Sequence, residues 1–327
     1  MIALPKPRGA VTELLLEALP ADIWLLPAVE PSSDEDLQLA LYLCYELHYR
    51  GLPGVDDRWE WEPSLLALRA ALEAQFEADL RRDVPLPEPR AAIDLELRAI
   101  EAADDAPSLS KHLERDGTLD QFLEFVVHRS AYQLKEADPH SWALPRLHGG
   151  PKAAMVEIQA DEYGGGRADR VHAHLFAKSM TGLGLDATYG AYLDHIPGVT
   201  LATVNLMSLL GLHRRWRGAI VGHLALFEMT SAVPNRRYAA ALRRVGAGDD
   251  VCDFFDEHVT ADAVHESIAA VDLAGGLARQ EPELTPQILW GARALIELEA
   301  RWGTRLLEAW EEGRSSLLAP LAVLALR

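Results

Sequence analysis

A chain of 327 residues with 49% hydrophobic and 25% charged side chains has the balance of an ordinary globular protein with a substantial core. Its 31 basic and 50 acidic residues give a formal charge of −19, which excludes nucleic acid and an anionic membrane as favoured partners. Cys44 and Cys252 stand far apart with no CxxC, which excludes a disulfide framework and a thiolate zinc site.

The opening MIALPKPRGA has no basic stretch followed by an apolar one, so no signal peptide is expected. The longest apolar runs, 218–229 and 317–326, are shorter than the about 18 residues of a membrane span. The expected location is cytoplasmic. Helical periodicity then runs through almost the whole chain. Residues 34–49 carry acids in the first turn and an apolar stripe at three- and four-residue spacing. The pattern returns over 64–81, 91–103 and 118–137, and later over 153–163, 167–180, 199–210, 213–231, 235–245, 251–274 and 286–312. Breakers separate these stretches: Asp138-Pro139, Gly149-Gly150-Pro151, Gly164-Gly165-Gly166, Pro234 and Gly275-Gly276. Alternating strand patterns are almost absent, so the expected fold is all-α. The stretch RDVPLPEPR at 82–90 holds three prolines, and 102–108 is acidic and small. These connectors predict an N-terminal helical layer over 1–110, packed on a main bundle over 111–327 rather than independent of it.

The sharpest chemical signal is HVTADAVH, with His258, Asp262 and His265. At about 100° per residue, offsets of four and seven return within roughly 60° of the starting direction, so all three share a helix face. Imidazole with carboxylate suits iron, zinc or manganese, whereas calcium and magnesium want oxygen alone. The apolar neighbours Phe254, Phe255, Val259 and Ile268 predict a mostly buried helix, where an unpaired polar face is costly. A second cluster surrounds the triple glycine: Glu162 precedes it, and Asp169 and His172 follow it as DxxH. The glycine run lacks the GK[ST] ending and preceding strand of a phosphate loop. His174 points about 200° away from His172 and reads as packing or surface. Glu228, amid Leu224, Leu226, Phe227 and Met229, needs a cation, a metal or a proton, and Arg236 or Arg237 is the structural candidate. Glu136 alone reads as an exposed helix-end acid.

Taken in order, Glu136, Glu162, His172, Glu228, His258, Asp262 and His265 resemble the ligand series of the heme-oxygenase-like diiron oxidases and oxygenases. The successive spacings are 26, 10, 56 and 30 residues up to His258. The segments DEYGGG, HAHLF, LFEMTS and NRRY are similar to the branch described as iron-containing redox enzymes, over roughly 120–276. The resemblance implies a heme-oxygenase-like helical bundle with additional N-terminal helices. It implies two Fe ions cycling between Fe2+ and Fe3+, O2 as co-substrate and a small-molecule substrate. It leaves open an external electron donor and a homodimer.

Members of the family that use an ExxH pair, a fatty-acid decarboxylase among them, have an acid where Asp169 stands. Glu162 and Asp169 therefore compete for one ligand position, and Glu162 is preferred. With Glu162 the set resembles the N-oxygenating members, so N-oxygenation of an amine or amino-acid derivative is expected ahead of decarboxylation or desaturation. Heme binding is disfavoured, because the polar series would fill the space of a planar macrocycle. A non-catalytic helical scaffold is the remaining alternative. Tyr132, Met155, Phe176, Leu206, Met207 and Phe227 are candidates for an apolar pocket, and Arg236 and Arg237 for gripping a substrate carboxylate.

Overall fold

The computed structural model describes residues 4–321, excepting the side chains of 261–264. All its regular elements are helical; no strand occurs among the described residues. The chain begins with α1 (Ala10–Ala18), α2 (Asp34–Glu46), α3 (Pro63–Asp83) and α4 (Ile93–Ala102). Then follow α5 (Leu109–Arg115), α6 (Leu119–Gln133), α7 (Asp138–Ser141), α8 (Gly149–Glu162) and α9 (His172–Gly182). The chain continues with α10 (Gly198–Leu212), α11 (Arg217–Arg244) and α12 (Asp249–Ser267), a π-helical turn at Ile268–Ala274, α13 (Gly275–Gln280) and α14 (Thr285–Glu311).

Local chemistry fixes several starts. Ser33 caps α2 by accepting from the Asp36 amide, with three acids in the first turn. Thr118 and Gln121 form a reciprocal capping box on α6. Three expected boundaries are corrected. Pro234 does not break the chain: α11 runs through it. The flanking helices α12 and α14 hold α11 along its length, and the Thr230 and Ser231 hydroxyls donate to carbonyls in the turn before the proline. Tertiary packing outweighs the about 3 kcal/mol that an interior proline costs. In the second case, α6 ends at Gln133 rather than Ala137. The next amides, of Lys135 and Glu136, reach back only three residues, to Tyr132 and Gln133, which tightens the chain into a turn. Helix α8 also starts earlier than predicted, at Gly149, because Pro151 is tolerated in a first turn.

Helices α11 and α14 form the spine. They touch at reciprocal glycines: a methyl group on Gly222 would strike the Ile288 carbonyl, and one on Gly291 the Ala219 carbonyl. That contact sets the path of α11, which carries Glu228 six residues beyond Gly222. One apolar cluster spans the first helices and the later ones, with Leu15, Leu39, Tyr42 and Trp59 in the same core as Leu209 and Trp290. A second, richer in aromatic rings, gathers Phe122, Phe125, Phe176, Tyr238, Phe254 and Phe255. Helix α12 enters the second cluster, and the π-helical turn after it enters the first.

The tight turn after α6 sends consecutive charges in different directions. Lys135 is fully buried and donates to Glu46 of α2 at 3.0 Å, with its ammonium 4.3 Å from the centre of the Tyr49 ring. Tyr189 adds a hydrogen bond to the same Glu46 oxygen at 2.6 Å. Removing one partner of such a pair strands a buried charge, at about 3–5 kcal/mol. We expect Lys135→Met to lower unfolding free energy by about that amount, and Lys135→Met with Glu46→Gln to recover much of it. Urea denaturation of the two variants measures both changes.

Candidate metal centre

Glycine geometry brings the first two donors together. Gly164, Gly165 and Gly166 have φ of 68°, 59° and 82°, in the left-handed region that side chains avoid. A Cβ on Gly164 would lie 2.7 Å from the backbone of Arg170 and Val171. The chain therefore doubles back between Glu162, the last residue of α8, and His172, the first of α9. His172 Nδ1 and Glu162 Oε2 stand 2.9 Å apart. The triple glycine works as a hinge of fixed shape, with no phosphate role required.

Helix α12 closes the site from the other side. His258 Nδ1 donates to the Phe254 carbonyl at 2.8 Å; since a carbonyl only accepts, the proton sits on Nδ1 and Nε2 is left facing Glu136 Oε2 at 3.7 Å. The His258 ring lies 4.4 Å from that of His172. Two turns of α12 further on, His265 Nδ1 lies 3.2 Å from Glu228 Oε2, and its Nε2 lies 3.0 Å from Asp161 Oδ2. Two donor groups result, each with its ligand-type atoms within 4.8 Å of one another: Glu136, Glu162, His172 and His258; and Glu162, Glu228 and His265. Glu162 belongs to both. All six residues are buried. Asp262, the remaining sequence candidate, lies outside the described residues.

The pairings shift the protons. Burial pushes the Glu162 carboxyl up, but the charge of His172, with His258 and His265 beyond it, draws it below the ordinary carboxylate range. Burial pushes the His172 imidazole down, and Glu162 overrides this to raise it. Burial likewise acts to lower His265, while the hydrogen bond and charge of Glu228, joined by Asp161 and Glu162, raise it to about 9. Glu136 Oε2, Glu162 Oε2 and His172 Nδ1 are nevertheless buried without an aligned hydrogen bond. Proximity at 2.9 Å does not supply alignment here: the His172–Glu162 contact is an ion pair at a poor hydrogen-bond angle.

Other sequence candidates fall elsewhere. Asp169 is mostly exposed and pairs with Arg167 at 2.9 Å, away from the cluster. Arg237 turns to Ser110 and Glu114 rather than to Glu228. Glu136 is buried at the centre, contrary to its reading as an isolated helix-end acid. A cavity of about 240 Å³ reaches Glu136 and His258 between walls that include Phe125, Phe176, Phe227 and Trp302. Of the predicted pocket residues, Phe176 and Phe227 line it; Tyr132 lines a smaller void beside the carboxylates. Leu206 and Met207 lie around a separate narrow pocket, and Met155 is core.

The sequence reading missed Asp161, the Arg129–Glu299 pair in the cavity wall, and a buried histidine couple. His140 Nε2 and His223 Nδ1 are 3.1 Å apart. Burial lowers His140 to about 4 and His223 well below its ordinary value, so both are neutral. Their partners are 83 residues apart, and nothing local in the chain signals the contact.

This buried series lies within residues 123–300, the stretch that matches the family described as iron-containing redox enzyme, and the chain belongs to that family. Its architecture is accordingly the all-α, heme-oxygenase-like bundle. The chain is also similar to the nitrosourea synthase of Streptomyces achromogenes subsp. streptozoticus, with 28% identity over 170 residues. The match covers 50% of this chain and 36% of that protein's length. Among the described residues no helix is long and apolar enough to cross a membrane.

Because His265 is raised from 6.5 to about 9, the folded metal-free protein holds this proton more tightly than the unfolded chain. The stability it contributes is complete below the unfolded value and is lost as pH rises through the folded one. The thermal midpoint of metal-free protein should therefore fall as pH rises from about 7 to about 9.5, and the His265→Gln variant should show a flatter profile. Calorimetric scans across that range compare the two.

Proposed function

We propose that the chain is an O2-dependent, non-heme diiron oxidoreductase that oxygenates a compact, neutral nitrogen compound. The observation that carries this reading is the convergence of three carboxylates and three imidazoles in the core, three of whose ligand-type atoms lack an aligned partner. Each buried unsatisfied polar atom costs about 1–3 kcal/mol, more when charged, and a dication removes that cost. In this reading Glu136, Glu162, His172 and His258 hold one iron, and Glu162, Glu228 and His265 hold the other. Asp262 would add a further oxygen. The mixture of nitrogen and oxygen donors suits iron and disfavours calcium or magnesium. When bound, an iron pair supplies two electrons to O2 without heme.

The chain's own residues bind and orient the substrate. In the cavity wall, Arg129 and Glu299 already satisfy each other through hydrogen bonds of 2.8 and 2.6 Å. A substrate that carried net charge past them would find no free counter-ion. A neutral amine meets no such cost. Gln133 lines the cavity at the end of α6, and its Oε1 is buried without a hydrogen-bond partner. That oxygen accepts a substrate N–H and leaves the nitrogen lone pair free to face Glu136 and His258. A free lone pair is what N-oxygenation requires. The aromatic walls exclude water from the bound nitrogen and favour a flat or branched apolar body. The name of the similar nitrosourea synthase, whose product class carries an oxidised nitrogen, supports the same direction. The decarboxylating alternative has less support, since its acid, Asp169, is on the surface.

Anaerobic loading with Fe(II), followed by metal analysis, tests the centre. Wild-type protein should retain two irons per chain with no heme absorbance. Glu162→Ala should retain at most one, and Asp169→Ala should retain both. One iron or none in the wild type would end the diiron reading. For the substrate, O2 uptake by Fe(II)-loaded protein should quicken with aniline or 2-aminopyridine and not with decanoate or L-arginine. Acceleration by decanoate alone would place carboxylate oxidation ahead of N-oxygenation.

A further inference from the structure

His265 is gripped from both sides, and its two carboxylate partners differ in kind. Glu228, on its Nδ1 side, is buried within the donor group; Asp161, on its Nε2 side, has a side chain 60% exposed to solvent. Asp161 is not among the atoms that converge within 4.8 Å. It stands behind the imidazole rather than in front of it. Its neighbour Glu162 is offset by about 100° on the same helix. One residue of the pair therefore enters the centre while the other reaches across to α12 from outside.

A neutral imidazole carries one N–H and one bare nitrogen, and only the bare nitrogen can take a metal. A carboxylate at neutral pH accepts and does not donate. Held 3.0 Å from Asp161, Nε2 must carry the proton, because its lone pair there would face a negative oxygen. Nδ1 in the metal-free protein donates to Glu228 at 3.2 Å. Because it is the nitrogen on the side of the buried donor group, it is the one that would give up its proton to a metal while Nε2 keeps its own. His258 reaches the same end by another route, with its Nδ1–H donating to the Phe254 carbonyl. Histidine ligands commonly depend on such a partner behind the ring, and losing it typically costs 10–100-fold in metal affinity.

We infer that Asp161 is a positioning residue for the second metal position: it fixes the tautomer and angle of His265 without itself being a ligand. The inference rests on the two-metal reading of the centre. Calorimetric titration of the full chain with Co(II) chloride tests it, alongside the ligand-field absorption of bound Co(II). Wild type should bind two equivalents. Asp161→Ala should bind one with unchanged affinity and the other about 10–100-fold more weakly. Asp161→Asn keeps an oxygen that accepts the same N–H, and it should recover most of the loss along with the wild-type absorption. If Asp161→Ala binds both equivalents as wild type does, the positioning role is overturned. It is equally overturned if Asp161→Asn is as impaired as Asp161→Ala, since the carboxylate would then be acting as a ligand or through its charge. A wild type that binds fewer than two equivalents instead defeats the two-metal reading itself, and the inference with it.

Discussion

Putting carboxylates and imidazoles together in the middle of a helical protein is the constraint around which the rest is arranged. Each ion taken from water costs several kcal/mol even after relaxation, and opposite charges recover this only in good geometry. Here the acids and the histidines are spread over separate helices, so the geometry depends on the whole bundle. Helix α11 must sit close enough to α14 to bring Glu228 into range, which the reciprocal glycines at 222 and 291 permit. The α8–α9 connection must reverse direction within a few residues, which the three left-handed glycines permit. The fold's least replaceable residues are thus small ones that carry no chemistry of their own.

The same electrostatic logic explains the neutral groups around the centre. Tyr132 keeps its phenol proton because burial and the three carboxylates Glu136, Glu162 and Glu228 all act against a further negative charge. The His140–His223 couple stays uncharged for want of a nearby acid strong enough to offset its burial. Tyr132 and the histidine couple thus add polarity beside the centre without adding charge, and the charged neighbours Arg129 and Glu299 are paired with each other.

Much of this was legible in the sequence. The helical class followed from periodicity, because amphipathic stripes of ten or more residues leave little ambiguity. The order and spacing of Glu136, Glu162, His172, Glu228, His258 and His265 singled out the residues that the fold brings together. The choice between Glu162 and Asp169 was drawn from resemblance; in the fold Glu162 lies among the converging side chains and Asp169 pairs with Arg167 near the surface. Helix ends were less legible. The continuation through Pro234 depends on two flanking helices, and the early end of α6 depends on the tight turn that Lys135 and Glu136 make. Asp161 was invisible for a different reason. It stands beside a residue already chosen, and its partner is 104 positions away.

The buried Lys135–Glu46 pair joins the early helices to the later ones. The ammonium is enclosed by Glu46, Tyr42 and Tyr49, so the N-terminal helices supply its counter-ion and part of its enclosure together. The turn after α6 is thereby latched to α2: movement of either one relative to the other would have to break an ion pair out of contact with water.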